Sequence, residues 1–79
     1  MIVLYDKTNK LINKFSYVLD VKKEVDNESN FYKVIVEFSE NGNAIERGYR
    51  CKDLNEMNTL SDLFNQIRSI ALDKGQFYI

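Results

Sequence analysis

Residues 32–51, YKVIVEFSENGNAIERGYRC, decide the fold. At their centre Asn41-Gly42 supplies two consecutive residues that tolerate positive φ, which a two-residue type I′ hairpin turn requires. Pairing outward from that turn sets Phe38 opposite Ile45, Val36 opposite Arg47, Val34 opposite Tyr49 and Tyr32 opposite Cys51, and seven of these eight side chains suit one buried face. A slip of one residue would set Val36 against Glu46 and turn the apolar set outward, so the pattern and the turn select the same register. The other face then carries two like-charge pairs, Glu37 with Glu46 and Lys33 with Arg50, each unfavourable by roughly a few tenths of a kcal/mol.

Upstream, residues 27–30 form a loop that sets Val25 against Tyr32, Val21 against Val36, Leu19 against Phe38 and the opposite charges Glu24 and Lys33 against each other. The same alternation runs back through Tyr17, Phe15 and Leu11, interrupted at Asn13, and predicts a long bent strand over 11–25. Ile2–Tyr5 folds back on its first half through the Asp6 loop. Leu11, Phe15, Val18, Leu19, Lys22 and Val25 also recur at helical spacing, so a helix over 11–25 is the rival reading. The strand is preferred because its partners in 32–38 are already in place, and the topology turns on that choice. With no proline and three glycines in the chain, punctuation falls to Asn and Asp, in the clusters 6–9, 26–30 and 40–43.

The last third predicts an amphipathic helix. Leu60, Leu63, Phe64, Ile67, Ile70 and Ala71 lie three and four apart, with Asp62, Asn65, Gln66, Ser69 and Asp73 opposite. Thr59-Leu60-Ser61-Asp62 has the form of a capping box; an earlier start at Asp53, with Glu56 three residues on, would add Met57 to the stripe. Lys74 suits the negative end of the helix dipole and Gly75 a left-handed residue just beyond it. Residues 76–79 then return as a short strand or form an apolar tail. The fold class expected is α+β: one domain spanning 1–79, a curved antiparallel β-meander of four to five strands with one C-terminal amphipathic helix packed on one face.

Composition narrows the chemistry. The chain has 79 residues, 44% apolar and 29% charged, with a formal charge of -1, as an ordinary globule does. A domain of this size buries only about 60–65% of its unfolded surface, so its core is one layer deep and a deep substrate cavity is not expected. There is no His, which removes the usual zinc sets and the Ser/His and Cys/His couples, and the single Cys51 cannot form an internal disulfide. No carboxylate pair stands at recognisable catalytic spacing and no Gly-rich phosphate loop occurs. Neither catalysis nor a cofactor or metal site is expected. The apolar N-terminal run meets Asp6 too soon for a signal or membrane segment, so no membrane partner and a cytoplasmic location are expected.

The near-zero charge hides blocks. Residues 1–23 hold five Lys against two Asp, and residues 24–46 hold six acids against Lys33. The acids Glu24, Asp26, Glu28, Glu37, Glu40 and Glu46, with the apolar end Phe77 and Tyr78, are the candidate contacts for a partner protein. Lys23 and Arg47 interrupt the apolar face; they either snorkel to its rim or contact an anion. Cys51 shares a row with Tyr32 and Val25 and reads as a buried, inert thiol. Most of the ten aromatics fall on the core face, Phe31 and the C-terminal pair excepted. The function expected is a non-catalytic protein-binding module, an adaptor or inhibitor; the Asn- and Lys-rich make-up would suit an AT-rich genome, and a one-layer domain a phage or mobile element. One alternative is a nucleic-acid contact that needs Lys7, Lys10, Lys14, Lys22, Arg50 and Lys52 on one surface. The other is self-association, a homodimer through an edge strand, with Ile2–Tyr5 or the C-terminal run as the extending segment.

Overall fold

A computed structural model describes residues 2–70 and 75–79. Its elements are β1 (Ile2–Tyr5), β2 (Leu11–Phe15), β3 (Tyr17–Asp26), β4 (Phe31–Glu40), β5 (Asn43–Cys51), α1 (Leu54–Ser69) and β6 (Gly75–Tyr78). The architecture is α+β, rich in antiparallel strands, with the helix packed on a sheet face. The strands divide into two three-stranded sheets, β2-β1-β6 and the meander β3-β4-β5.

The β4–β5 hairpin has the register its turn dictates, Glu40 with Asn43 through Tyr32 with Cys51. Asn41 (φ 51°) and Gly42 (φ 82°) take the left-handed conformations of a type I′ turn. Asn30 (φ 51°) and Asn9 (φ 64°) play the same part in the β3–β4 and β1–β2 loops, which is how Asn substitutes for glycine in this chain. In the β1–β2 loop, Asp6 Oδ1 accepts hydrogen bonds from Thr8 N (2.8 Å), Thr8 Oγ1 (2.6 Å) and Lys10 N (3.0 Å), an Asx turn that closes the hairpin.

Residues 11–25 are extended, which removes the helical alternative, but they form two strands rather than one. The break is at Ser16, whose amide donates to the Ser39 carbonyl (2.7 Å) as the chain passes from one sheet into the other. From Val21 to Val25 the pairing with β4 is the expected one. A bulge between Val18 and Asp20 then sets Val18, not Leu19, opposite Phe38. One extra residue reverses the facing of everything beyond it. Val18 is therefore buried, while Tyr17, expected in the core, is 56% exposed. A second irregularity, between Leu4 and Tyr5, makes Ile12 the additional residue of β2 and pairs Leu11 with Tyr5; Leu11, also expected in the core, is 47% exposed.

The helix takes the earlier of its two starts. Asp53 is the N-cap, extended at φ -154°, and its Oδ1 accepts from Glu56 N at 2.7 Å. The Thr59–Asp62 box lies inside the helix, where Ser61 is buried against the sheet beside Met57, Phe64 and Ile67. The helix ends at an extended Ile70, which is exposed, so the stripe closes at Ile67. Gly75 opens β6 instead of capping the helix; Ala71, Asp73 and Lys74 lie outside the described residues. β6 runs parallel to β1, Leu4 pairing with Phe77 and Tyr5 with Tyr78, so the C-terminal run is a strand rather than a tail.

The core joins the layers through three rings. Phe15 lies 4.3 Å from Phe38, and Phe38 lies 5.9 Å edge-on from Phe64 of the helix. Ile2, Leu4, Val34, Val36 and Met57 close around them, each large apolar side chain worth roughly 1.5–3 kcal/mol of burial.

Candidate interaction site

The expected site residues do not form one surface. Asp26 and Glu28 lie where β3 meets β4, and Glu24 is close by; Glu40 stands at the opposite end, at the β4–β5 turn. That ladder runs from Asp26–Phe31 to Glu40–Asn43, about 30 Å at ~3.3 Å per residue. Glu37 and Glu46 do meet, side by side on the face of the meander away from the helix, with Asp20 on the other side of Glu37. Asp20 has cations close by, Lys22 Nζ at 3.9 Å and Arg68 Nη1 at 3.8 Å.

Lys23 reaches the helix, where its Nζ donates to Asn58 Oδ1 at 3.0 Å, and Arg47 stays in solvent. Neither is arranged with a second cation around an anion site. Cys51 is 3% exposed. Burial raises its thiol pKa, and the carboxylates of Glu56 and Asp53 push it the same way, so the nucleophilic thiolate is disfavoured. Phe77 packs against the core, whereas Tyr78 is exposed and stacks on Tyr5 at 5.4 Å.

Two features lie together instead. The first is the edge of β5, which has β4 on one side and, among the described residues, no strand on the other. In a hairpin closed by a two-residue turn, Asn43, Ile45, Arg47, Tyr49 and Cys51 exchange backbone bonds with β4, so the amides and carbonyls of Ala44, Glu46, Gly48 and Arg50 point outward. All four of these residues are exposed, and among the described residues no other backbone group bonds to them. Gly48 is close to the middle of this edge. The Lys33 side chain lies across it and would collide at Cε with any Cβ there.

The second is an open cleft of about 700 Å³ at the Cys51 end of that edge. Ile12, Leu60, Leu63 and Ile79 give it apolar walls, and Tyr49 and Tyr78 also line it. Lys7, Arg50 and Lys52 stand around it with Asp53 and Glu56. Asp53 is engaged as the N-cap and Glu56 lies 4.0 Å from Lys52, while Arg50 stacks over Phe31, 4.9 Å from the ring centre. Among the described residues Lys7 and Arg50 make no ion pair.

Tyr49 sits where cleft and core meet, 5.3 Å from Phe64. Its phenol is pushed up to about 12, chiefly by burial; Arg47 opposes the rise, Glu40 adds to it, and the nearby Asn13 side chain opposes it. Asn13 Nδ2 and Glu40 Oε1 are both buried without a hydrogen-bond partner.

Of the cleft, the sequence points to the apolar end with Tyr78 and Ile79 as a contact, and to Lys7, Arg50 and Lys52 as half of the cation set that a nucleic-acid contact needs. It does not point to Ile12, because the walls assemble only when β6 docks parallel to β1. The free edge could have been found, since β5 is the last strand of a meander and a helix follows it.

Among the described residues no helix is long and apolar enough to cross a membrane, and no three or more carboxylates and thiols gather as metal ligands. The chain matches no family model, no curated protein and no solved structure.

Proposed function

We propose that the chain is a non-catalytic protein-binding module that takes an extended segment of a partner along the free edge of β5, with the partner's side chains over the adjoining cleft. The observation that carries this reading is the coincidence of the two features: four residues with unpaired backbone groups run into a cleft with apolar walls. Strand addition draws affinity from main-chain hydrogen bonds and selectivity from the pockets beside them. The unpaired cations Lys7 and Arg50 favour a carboxylate in the partner segment, and Ile12, Leu60, Leu63 and Ile79 favour apolar side chains next to it. An acidic docking surface made of all six candidate acids has less support, since they are divided between the two ends of the meander.

The test is selection from a random displayed-peptide library on the immobilised protein, followed by anisotropy titration of a selected, labelled peptide. Gly48→Pro removes an outward amide on the free edge, its ring displacing the flexible end of the Lys33 side chain, and Ile12→Asp charges the cleft wall. Each is expected to weaken binding at least tenfold with the circular dichroism of the fold retained. Peptides bound equally well by both variants, or no selected peptide, would overturn the reading.

Lys7, Arg50 and Lys52 around the same cleft also favour a second reading, a single-stranded nucleic acid along it. Lys10 and Lys14 do not line it and Lys22 lies beside Asp20, so only half of the expected set converges. A titration of oligo-dT and oligo-U against salt decides it: a steep log-log slope supports this reading, and no binding at low salt removes it.

A further inference from the structure

Resting on the edge reading above, we infer that the segment β5 accepts is β5 of a second copy, paired antiparallel about a two-fold axis at Gly48. The argument comes from the charge rows on the outer face of the meander. Read from β3 to β5, the rows are Asp20–Glu37–Glu46, Lys22–Ile35–Gly48 and Glu24–Lys33–Arg50. The first is acidic throughout, and the third ends in two cations. Both rows end at the free edge with like charges side by side, Glu37 with Glu46 and Lys33 with Arg50, which is unfavourable in an isolated copy. At the β3 end the acidic row is balanced by Lys22 and Arg68; at the β5 end no cation pairs with Glu46 among the described residues.

A two-fold axis at Gly48 supplies what each row lacks. It sets Glu46 against Arg50 of the second copy and, by symmetry, Arg50 against Glu46. The acidic row then continues as Arg50–Lys33–Glu24 of the second copy, and the basic end continues as Glu46–Glu37–Asp20. The outward groups of Ala44, Glu46, Gly48 and Arg50 are the ones this register uses. Neighbouring registers do worse. An axis at Arg47 opposes the two Arg47 side chains, one at Glu46 opposes the two carboxylates, and one at Tyr49 sets Arg50 against Gly48, where there is no carboxylate, and leaves Glu46 only Lys52, beyond the end of β5. Gly48 adds no side chain of its own at the axis, and the Lys33 chain lying across it carries its cation to the junction, diagonal to Glu46 of the second copy. The product is a continuous six-stranded sheet with the self-complementary interface that two-fold symmetry demands.

Sedimentation equilibrium at micromolar to millimolar concentration tests the inference with three samples. The native chain is expected to dimerise. Glu46→Arg sets Arg against Arg50, and Arg50→Glu sets Glu against Glu46, so each variant alone is expected to dimerise at least tenfold more weakly. Mixed in equal amounts the two are expected to pair with each other, because the mixed dimer restores opposite charges at both contacts. Amide exchange at Glu46 and Gly48 is expected to slow in the dimer. A native chain that stays monomeric, variants that dimerise like the native chain, or a mixture that fails to pair would each overturn the inference. A monomeric native chain that still binds library-selected peptides in a Gly48-dependent way would overturn self-pairing alone; loss of peptide binding as well would remove the edge reading beneath it.

Discussion

Phe15 and Phe38 meet across the two sheets with ring centres 4.3 Å apart and planes tilted by 39°, and both are fully buried. Close by, the Ser16 amide bonds to the Ser39 carbonyl, so ring and backbone contacts fasten the β2-β1-β6 sheet to the meander at one point. A domain of this length has about 4–12 kcal/mol of stability at roughly 0.05–0.15 kcal/mol per residue. Truncating a buried Phe to Ala removes about 3–5 kcal/mol. At the lower end of that range Phe15→Ala leaves little or no stability, so Phe15→Leu is the useful probe. In urea melts, Phe15→Leu and Phe38→Leu are expected to couple by about 0.5–1.5 kcal/mol in a double-mutant cycle. Strict additivity would mean that the two rings contribute independently.

The two capping boxes make a clean comparison. Asp53 holds the Glu56 amide at 2.7 Å, whereas Thr59 is an exposed residue inside the helix. Asp53→Ala is expected to lower stability by about 1 kcal/mol, within the usual range for a lost N-cap. Thr59→Ala is expected to be neutral or slightly stabilising, since Ala has the better helix propensity. Equilibrium denaturation of both variants checks this, and a larger loss at Thr59 would place the N-cap at Thr59 instead of Asp53.

What the sequence made legible follows from where its turn chemistry is strong. Asn41-Gly42 admits one hairpin register, and every pair from Phe38–Ile45 to Tyr32–Cys51 could be read from it. Val21, Glu24 and Val25 found their partners because a four-residue loop and an opposite-charge pair constrain that end. The bulge after Val18 left no such mark. No glycine signals it, and Leu19 is as apolar as Val18, so the alternation read smoothly through Phe15-Ser16-Tyr17 and placed Tyr17 on the wrong face. Ser16 likewise hides a change of sheet inside an unbroken period of two. The cleft was illegible for another reason: its walls come from β2, β5, α1 and β6, and nothing local to residues 76–79 says that they lie parallel to β1.

Cys51 offers a probe of core integrity. Its Sγ is buried and lies 3.6 Å from the Tyr49 carbonyl, and its pKa is raised by burial and by the nearby carboxylates of Glu56 and Asp53. Modification requires both access and a thiolate, and the fold withholds both. In the folded chain, reaction with an aromatic disulfide reagent at neutral pH is expected to follow the rate of opening of the β5–α1 corner. It becomes fast in denaturant. Rapid labelling without denaturant would mean that this corner opens far more readily than its packing implies.

Tyr49 sets the alkaline limit of the fold. Its phenol ionises near 12 in the folded chain, against an ordinary value of 10, mainly because burial disfavours the phenolate. A group whose pKa is raised by folding stabilises the native state fully below its unfolded value, and that contribution is lost as pH rises from the unfolded value through the folded one. Stability is therefore expected to hold up to about pH 10 and to fall between about 10 and 12 as the unfolded chain gives up this proton first. Tyr49→Phe keeps the ring against Phe64 and removes the ionisable group, so its stability should depend less steeply on pH across that window. Urea midpoints of the two proteins from pH 8 upward, read with tyrosinate absorbance, measure the difference. Parallel curves through the window would show that the Tyr49 phenol is already open to water in the folded state.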